Sequence, residues 1–313
     1  MHPALSVIAF TVISGVGYGL ALVLALGHGN PGHLSTKIAW FIALALIGAG
    51  LLCSTLHLGN PQRAWRALSQ WRTSWLSREG CMAVLTFVPL TILAAMSIFA
   101  GSFNLLLGYV AAAMCAVTVY CTAMIYASLP TIPQWHTGWT PATYLAFALT
   151  SGTVTYLAFF AREAGSASNT IWTILSVVFL IVAWIIKLIW ARRALAIGYG
   201  VSNMETATGL GHIGKVRLLE RPHATDNYLT REMAFRIARK HVQIFRTVAV
   251  VMGCVVPIAL LLLSLWSPMA FLQWLAALCL MVGLFVERWL FFATAKHAVG
   301  LYYGGEEALV PAE

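Results

Sequence analysis

Residues 170–191 read TIWTILSVVFLIVAWIIKLIWA, with Lys187 as the single charge in the run. At 1.5 Å per residue a helix of that length is about as long as the hydrocarbon core of a bilayer is thick, and its side chains are apolar all round. Outward from this segment the pattern repeats. Stretches of the same character occupy about 3–26, 38–57, 81–100, 105–126, 141–161, 170–191, 244–266 and 269–294, separated by turn residues and charges. The composition agrees, with 60% hydrophobic residues, 9% charged residues and a mean hydropathy of +0.82, far outside the range of soluble domains. The expected fold is therefore an all-α membrane protein of eight transmembrane helices, one integral membrane domain over residues 1–313. The first stretch is too long, and its start too poor in basic residues, to read as a cleaved signal peptide.

An even number of spans puts both termini on one side. Of the nineteen Lys and Arg, sixteen fall on that side, including Arg63, Arg66, Arg72, Arg78, Lys187, Arg192, Arg193 and the cluster from Lys215 to Arg246. Lys37 and Arg162 lie opposite, and Arg288 sits inside the last span. Basic loops resist translocation, so the termini and the basic side are expected in the cytoplasm. The net charge of +9 is thus concentrated on one face, which fits anionic lipid head groups or an acidic soluble partner better than nucleic acid.

Two cytoplasmic segments stand out, 58–80 (LGNPQRAWRALSQWRTSWLSREG) and the long basic loop 192–243. In the second, Tyr228 to Gln243 has Leu229, Met233 and Ile237 at helical spacing, with Arg231, Arg236, Arg239 and Lys240 around them. Such a helix could lie on the membrane or dock a partner; a solvated connector would read the same way. The opposite face has only tight turns, such as Gly101 to Asn104. The six cysteines form no C-x-x-C pattern and read as packing residues, not as ligands of a cluster or zinc ion. Ser14 to Gly19 superficially resembles a dinucleotide fingerprint but lacks its strand and acid, so a helix contact at Gly15 and Gly19 is expected.

Ionisable groups in lipid are costly and are therefore candidates for function. His57, Tyr126, Lys187, Glu287 and Arg288 all fall in the cytoplasmic final turns of even-numbered spans, and Glu79 just precedes the third span. A quinone head group needs a hydrogen-bonding group at each carbonyl and a route for two protons. His57 and Glu79 suit proton exchange, and Tyr126 could donate to the second carbonyl. A helix-end histidine bonded to backbone, and a Glu79 paired with a neighbouring Arg, are the structural alternatives. Glu287 and Arg288 point about 100° apart on a helix, so they are expected to contact other helices rather than each other. Lys187 is expected to snorkel to the interface. None of the nine histidines lies in mid-span, so no haem is expected.

With these residues in place, the chain resembles the membrane anchor subunits of the dimethyl sulfoxide reductase family of molybdoenzymes. The resemblance rests on Leu56-His57-Leu58-Gly59-Asn60-Pro61-Gln62-Arg63-Ala64 with Ser77-Arg78-Glu79, and on Tyr126 to Trp135 leading to Trp139-Thr140-Pro141. A weaker match is Glu287-Arg288-Trp289-Leu290-Phe291-Phe292. The resemblance implies eight helices in a bacterial inner membrane, a quinone site near the loop after the second helix, and no cofactor within the anchor. It also implies an iron–sulfur electron-transfer subunit and a molybdopterin catalytic subunit as partners. The family's quinone-interacting histidine and glutamate fall on His57 and Glu79, and Arg63, Tyr126 and Arg288 complete the expected quinone-binding set.

One departure bears on the substrate. In the exported reductases the histidine loop faces the periplasm, whereas the charge distribution here puts it in the cytoplasm. That orientation and the long 192–243 loop are similar to the anchors of cytoplasmically oriented sulfite dehydrogenases, which oxidise sulfite to sulfate and reduce quinone. An anchor of a dimethyl sulfoxide or related reductase, oxidising quinol, is the alternative. A secondary transporter would need polar groups at the bilayer midplane, where this chain has only small hydroxyls.

Overall fold

A computed structural model of the chain describes residues 4–56, 60–160, 166–220, 241–267 and 269–303. Eight helices in it are long and apolar enough to cross a membrane, and no strand occurs among the described residues. They are α1 (Leu5–Ala25), α2 (Leu34–Thr55), α3 (Trp75–Ala100), α4 (Leu105–Ala127), α5 (Trp139–Phe160), α6 (Ser166–Ile197), α7 (Val242–Trp266) and α8 (Ala270–Ala293). Several bounds shift by a few residues from the hydropathy reading, two of them by six. α3 begins at Trp75, so Ser77, Arg78 and Glu79 are already helical, and α6 runs on through Arg192 and Arg193 to Ile197. Hydropathy cannot see such turns, because a helix continues past the apolar run wherever its polar residues find partners or water. The stretch 228–240 of the expected amphipathic helix lies outside the described residues.

α1 and α5 form the centre, most of their residues being buried, while α2, α6 and α7 turn broad apolar faces outward. Lipid tails are as apolar as leucine, so helices associate through close packing and interhelical hydrogen bonds rather than by escaping water. Small residues supply the close packing. At Gly19 an added Cβ would lie 1.9 Å from the carbonyl oxygen of Ala148, and at Gly152 2.2 Å from the backbone of Gly19. The expected glycine contact is therefore real at Gly19. Gly15 is different, for it has open space where its side chain would be. α7 and α8 meet the same way, Gly253 against Gly283.

Hydrogen bonds lock the remaining pairs. Thr86 on α3 and Thr118 on α4 share one at 2.9 Å, and Gln273 on α8 donates to Asn169 on α6 at 3.1 Å; such contacts contribute about 0.6 kcal/mol on average in a membrane. α7 contains a π-turn, Val251–Val255, followed by Pro257. Proline has no N–H for the carbonyl of Gly253, four residues back. Trp184 of α6 donates its Nε1–H to that carbonyl instead, at 2.7 Å. The tight turn expected at 101–104 is present: Gly101 takes φ 56° to end α3, and the Asn104 side chain accepts from Leu107 N to start α4.

Candidate functional site

The C-terminal portions of α4, α6 and α8 converge, but α6 runs ten residues past Lys187 to Ile197, so Lys187 lies deeper in its helix than the expected final turn. Tyr126 packs edge-on to Phe292 of α8 with ring centroids 5.1 Å apart, and Lys187 pairs with Glu287. The segment between α4 and α5 clasps this end. Trp135 stacks on Phe291 and donates its Nε1–H to the Phe291 carbonyl at 3.1 Å, while Gln134 donates to Ala194 O and accepts from Lys296 N. Thr140 donates to Trp135 O and accepts from Trp190 Nε1. The Tyr126–Trp135 motif is thus a splice between three helices, its indole and amide groups taking up carbonyls and N–H groups where helices end.

Within the clasp lies an ion cluster. Glu287, 2% exposed, binds both Lys187 and its own neighbour, since Arg288 Nε donates directly to Glu287 Oε2. Two sequence expectations are corrected here. Adjacent side chains on a helix diverge at Cβ, yet both are long enough to fold back when no water is present to solvate them. Lys187 does not snorkel outward: it is 9% exposed, with Nζ over the Trp190 ring at 3.6 Å and paired to the carboxylate. The Arg288 guanidinium lies over Tyr144, 4.2 Å from its centroid.

Glu79 sits differently. The structure buries it to 3% exposure on the second turn of α3, where it accepts from Thr122 Oγ1 of α4 at 3.4 Å. Its neighbour Arg78 is turned away, donating to the carbonyls of Trp71 and Arg72 and covering Trp75. Thr122 and Tyr18 of α1 line a small cavity of about 30 Å³ whose walls are mostly apolar, with Val12, Val119, Phe147 and Leu284, and which Thr11, Ser14, Tyr144, Ser151 and Arg288 join as polar groups. That is room for one or two waters. Tyr18 Oη has no hydrogen-bond partner among the described residues. A buried carboxyl, phenols and a small cavity with polar groups in its wall can exchange protons and donate hydrogen bonds to a carbonyl.

Of the expected site residues, Arg288 lines this cavity, while Glu79 and Tyr126 lie one side chain behind its wall, Glu79 bonded to Thr122 and Tyr126 stacked on Tyr144. His57 lies outside the described residues. Arg63 is exposed on a 3-10 segment, Pro61–Gln70, away from the buried groups. That segment and the turn that follows it carry Trp65 and Trp71, both well exposed, with Arg66 and Arg72 over their rings. Tyr18, Thr122 and Tyr144 join the site without standing out in the sequence. A signal existed: Thr11, Ser14 and Tyr18 recur at spacings of three and four, a polar stripe along an otherwise apolar span.

The family model described as DMSO reductase anchor subunit (DmsC) matches residues 1–304. The chain is 32% identical to a sulfite dehydrogenase subunit of Allochromatium vinosum, over 97% of this chain and 99% of that protein. It is also similar to two anaerobic dimethyl sulfoxide reductase chains of Escherichia coli. One is 31% identical over 39% of this chain and 44% of its own length. The other, YnfH, is 25% identical over 56% of this chain and 60% of its own length. The chain, a multi-pass membrane protein, therefore belongs to the DMSO reductase anchor subunit family.

Proposed function

We propose that this chain is the quinone-reactive anchor of a molybdopterin/iron–sulfur complex, and that the complex is a sulfite:quinone oxidoreductase. Sulfite would be oxidised to sulfate in the molybdopterin subunit, and electrons would reach quinone through the iron–sulfur subunit. The observation that carries the quinone role is the buried Glu79 carboxyl bonded to Thr122, which in turn lines a small cavity together with Tyr18 and Arg288. The likeness to a sulfite dehydrogenase subunit along nearly its whole length favours sulfite as the substrate of the complex.

Quinone, once bound, takes up two electrons and two protons. In this reading His57 and Glu79 exchange those protons, and Tyr126 and Arg288 hold the head group or the water next to it. Arg63, exposed on the Pro61–Gln70 segment, would act at the mouth of the site. The cation-capped tryptophans Trp65 and Trp71 offer a face for an acidic iron–sulfur partner at the membrane surface. The chain would act as one integral unit in the bacterial inner membrane, with both termini and the 192–243 connection in the cytoplasm.

Steady-state quinone turnover by the intact complex carrying His57→Ala tests the role: a large loss with assembly unchanged is expected, and unchanged turnover would leave the chain a tether. The likeness to the Escherichia coli dimethyl sulfoxide reductase chains favours a second reading, an anchor that oxidises quinol for a reductase. Identification of the co-purifying subunits separates the two. A molybdopterin subunit without a twin-arginine export signal fits the cytoplasmic sulfite enzyme, and one bearing that signal fits an exported reductase.

A further inference from the structure

Between α1, α4, α5 and α8, the cavity of about 30 Å³ gathers groups whose hydrogen-bonding capacity is left unused. Tyr18, Thr122 and Arg288 in its wall are each at most 6% exposed. Tyr18 Oη makes no hydrogen bond among the described residues. Arg288 spends its Nε–H on Glu287 and sits over the Tyr144 ring, and neither Nη1 nor Nη2 meets an acceptor at hydrogen-bond geometry among those residues. The small hydroxyls are complementary. Thr11 donates to Ile8 O at 3.0 Å, Ser14 to Phe10 O at 2.6 Å and Ser151 to Ala148 O at 3.1 Å, so each has only lone pairs left to offer the cavity. Thr122 is different, for its proton has two places to go: the Glu79 carboxylate at 3.4 Å and the Thr118 carbonyl at 3.1 Å.

Unpaired donors and free lone pairs around one space of this size suit water, which gives and accepts in equal measure. We propose that the cavity is a water site serving Glu79: ordered water held by Tyr18 Oη and the Arg288 terminal nitrogens bonds the Thr122 hydroxyl, and protons pass between that water and Glu79 through Thr122. The transfer is a hop. As Thr122 Oγ1 takes a proton from the water it gives its own to the carboxylate, the water regains one from solvent, and no bond between heavier atoms changes; the reverse sequence carries a proton out. Tyr18 is then a positioning residue, acting through the water it holds. A chloride ion would meet the same donors, but also the lone pairs of Thr11, Ser14 and Ser151, and Glu287 already balances the Arg288 charge. The purpose of the path rests on the quinone role proposed for Glu79, whereas the water site itself does not.

The test uses the full chain in its purified complex, by infrared difference spectra between the quinone-oxidised and quinol-reduced states. A carboxyl band that Glu79→Gln abolishes is expected, together with a water O–H band that moves in isotopically labelled water. Tyr18→Phe, which removes no hydrogen bond within the described residues, should erase the water band and shift the carboxyl band. Thr122→Val keeps the shape of its side chain; it should shift the carboxyl band and slow quinone turnover about tenfold, and Thr122→Ser should restore both. A merely structural hydroxyl would leave the water band unaffected by Tyr18→Phe. No water band, an anion found in the cavity by structure determination of the complex, or carboxyl bands in Tyr18→Phe and Thr122→Val that match wild type would each overturn the proposal. Wild-type turnover in Glu79→Gln would defeat the quinone reading and the proton path with it. Slow turnover in Glu79→Gln beside wild-type spectra in the other two variants would leave that reading standing and defeat the water path alone.

Discussion

Two buried glutamates at the same end of the bundle are treated in opposite ways. Glu287 is saturated, holding the Lys187 ammonium and the Arg288 guanidinium among stacked aromatic rings. Glu79 is no less buried, yet its hydrogen-bond partner among the described residues is one hydroxyl at a long 3.4 Å. A carboxylate removed from water needs full compensation or it carries its cost into the fold. Glu287 has that compensation and reads as a structural rivet. Glu79 lacks it and is linked through Thr122 to the wall of a cavity of water size, the setting that the proposed proton exchange calls for.

Charge removal at the rivet should therefore cost the most. Glu287→Ala leaves Lys187 and Arg288 buried without their counter-ion, a loss of about 3–5 kcal/mol, read as a drop in thermal midpoint of the purified complex. Quinone turnover per folded molecule should fall only severalfold, since Arg288 loses its ion pair but keeps its place over Tyr144. Glu79→Gln should invert the pattern, keeping the Thr122 contact and changing stability by less than about 1 kcal/mol. Its quinone turnover should fall about 100-fold, the scale of lost general acid–base catalysis. If both variants lose stability and activity together, the distinction between rivet and reactor is wrong.

The fold was legible because eight apolar stretches of membrane length leave few alternatives, and the shared end of α4, α6 and α8 followed from parity alone. The family was legible from short motifs. What the sequence could not show is where polar side chains go once water is absent. Lys187 looked like an interfacial lysine because its stem can reach the surface; the aromatic wall of Trp190 and the carboxylate of Glu287 hold it inside. Arg63 shares a motif with His57, and only the 3-10 segment shows that its side chain is exposed and not buried with Glu79. Tyr18 and Thr122 escape a reading of the sequence because their roles depend on which helices pack together, and that is settled by glycines as far apart as Gly19 and Gly152.

Away from both carboxyls, the seam between α6 and α7 tests whether the packing of this end depends on the rivet alone. Trp184→Phe preserves the ring but removes the donor to the Gly253 carbonyl that Pro257 leaves unpaired. The expected loss is about 1–2 kcal/mol. It should add to that of Glu287→Ala if the two features are independent, and fall short of additivity if α7 is already loosened by loss of the ion cluster.

The smallest effect should come from His297, just beyond α8 and next to Lys296, outside the spanning segments. Its Nδ1 accepts the Val299 N–H at 3.1 Å, and burial holds its pKa below the ordinary histidine value. Accepting that bond requires Nδ1 to be unprotonated, so the folded state favours the neutral ring while the unfolded chain binds the proton more readily. The stabilisation is therefore complete above the unfolded value near 6.5 and fades as pH falls through the lower folded one. The thermal midpoint of the complex between pH 8 and pH 5 should fall slightly more for wild type than for His297→Phe. A larger fall in the variant would mean that the proton is taken up by another group at this end, and Glu79 would be the first to examine, since its charge has the weakest hold on any partner.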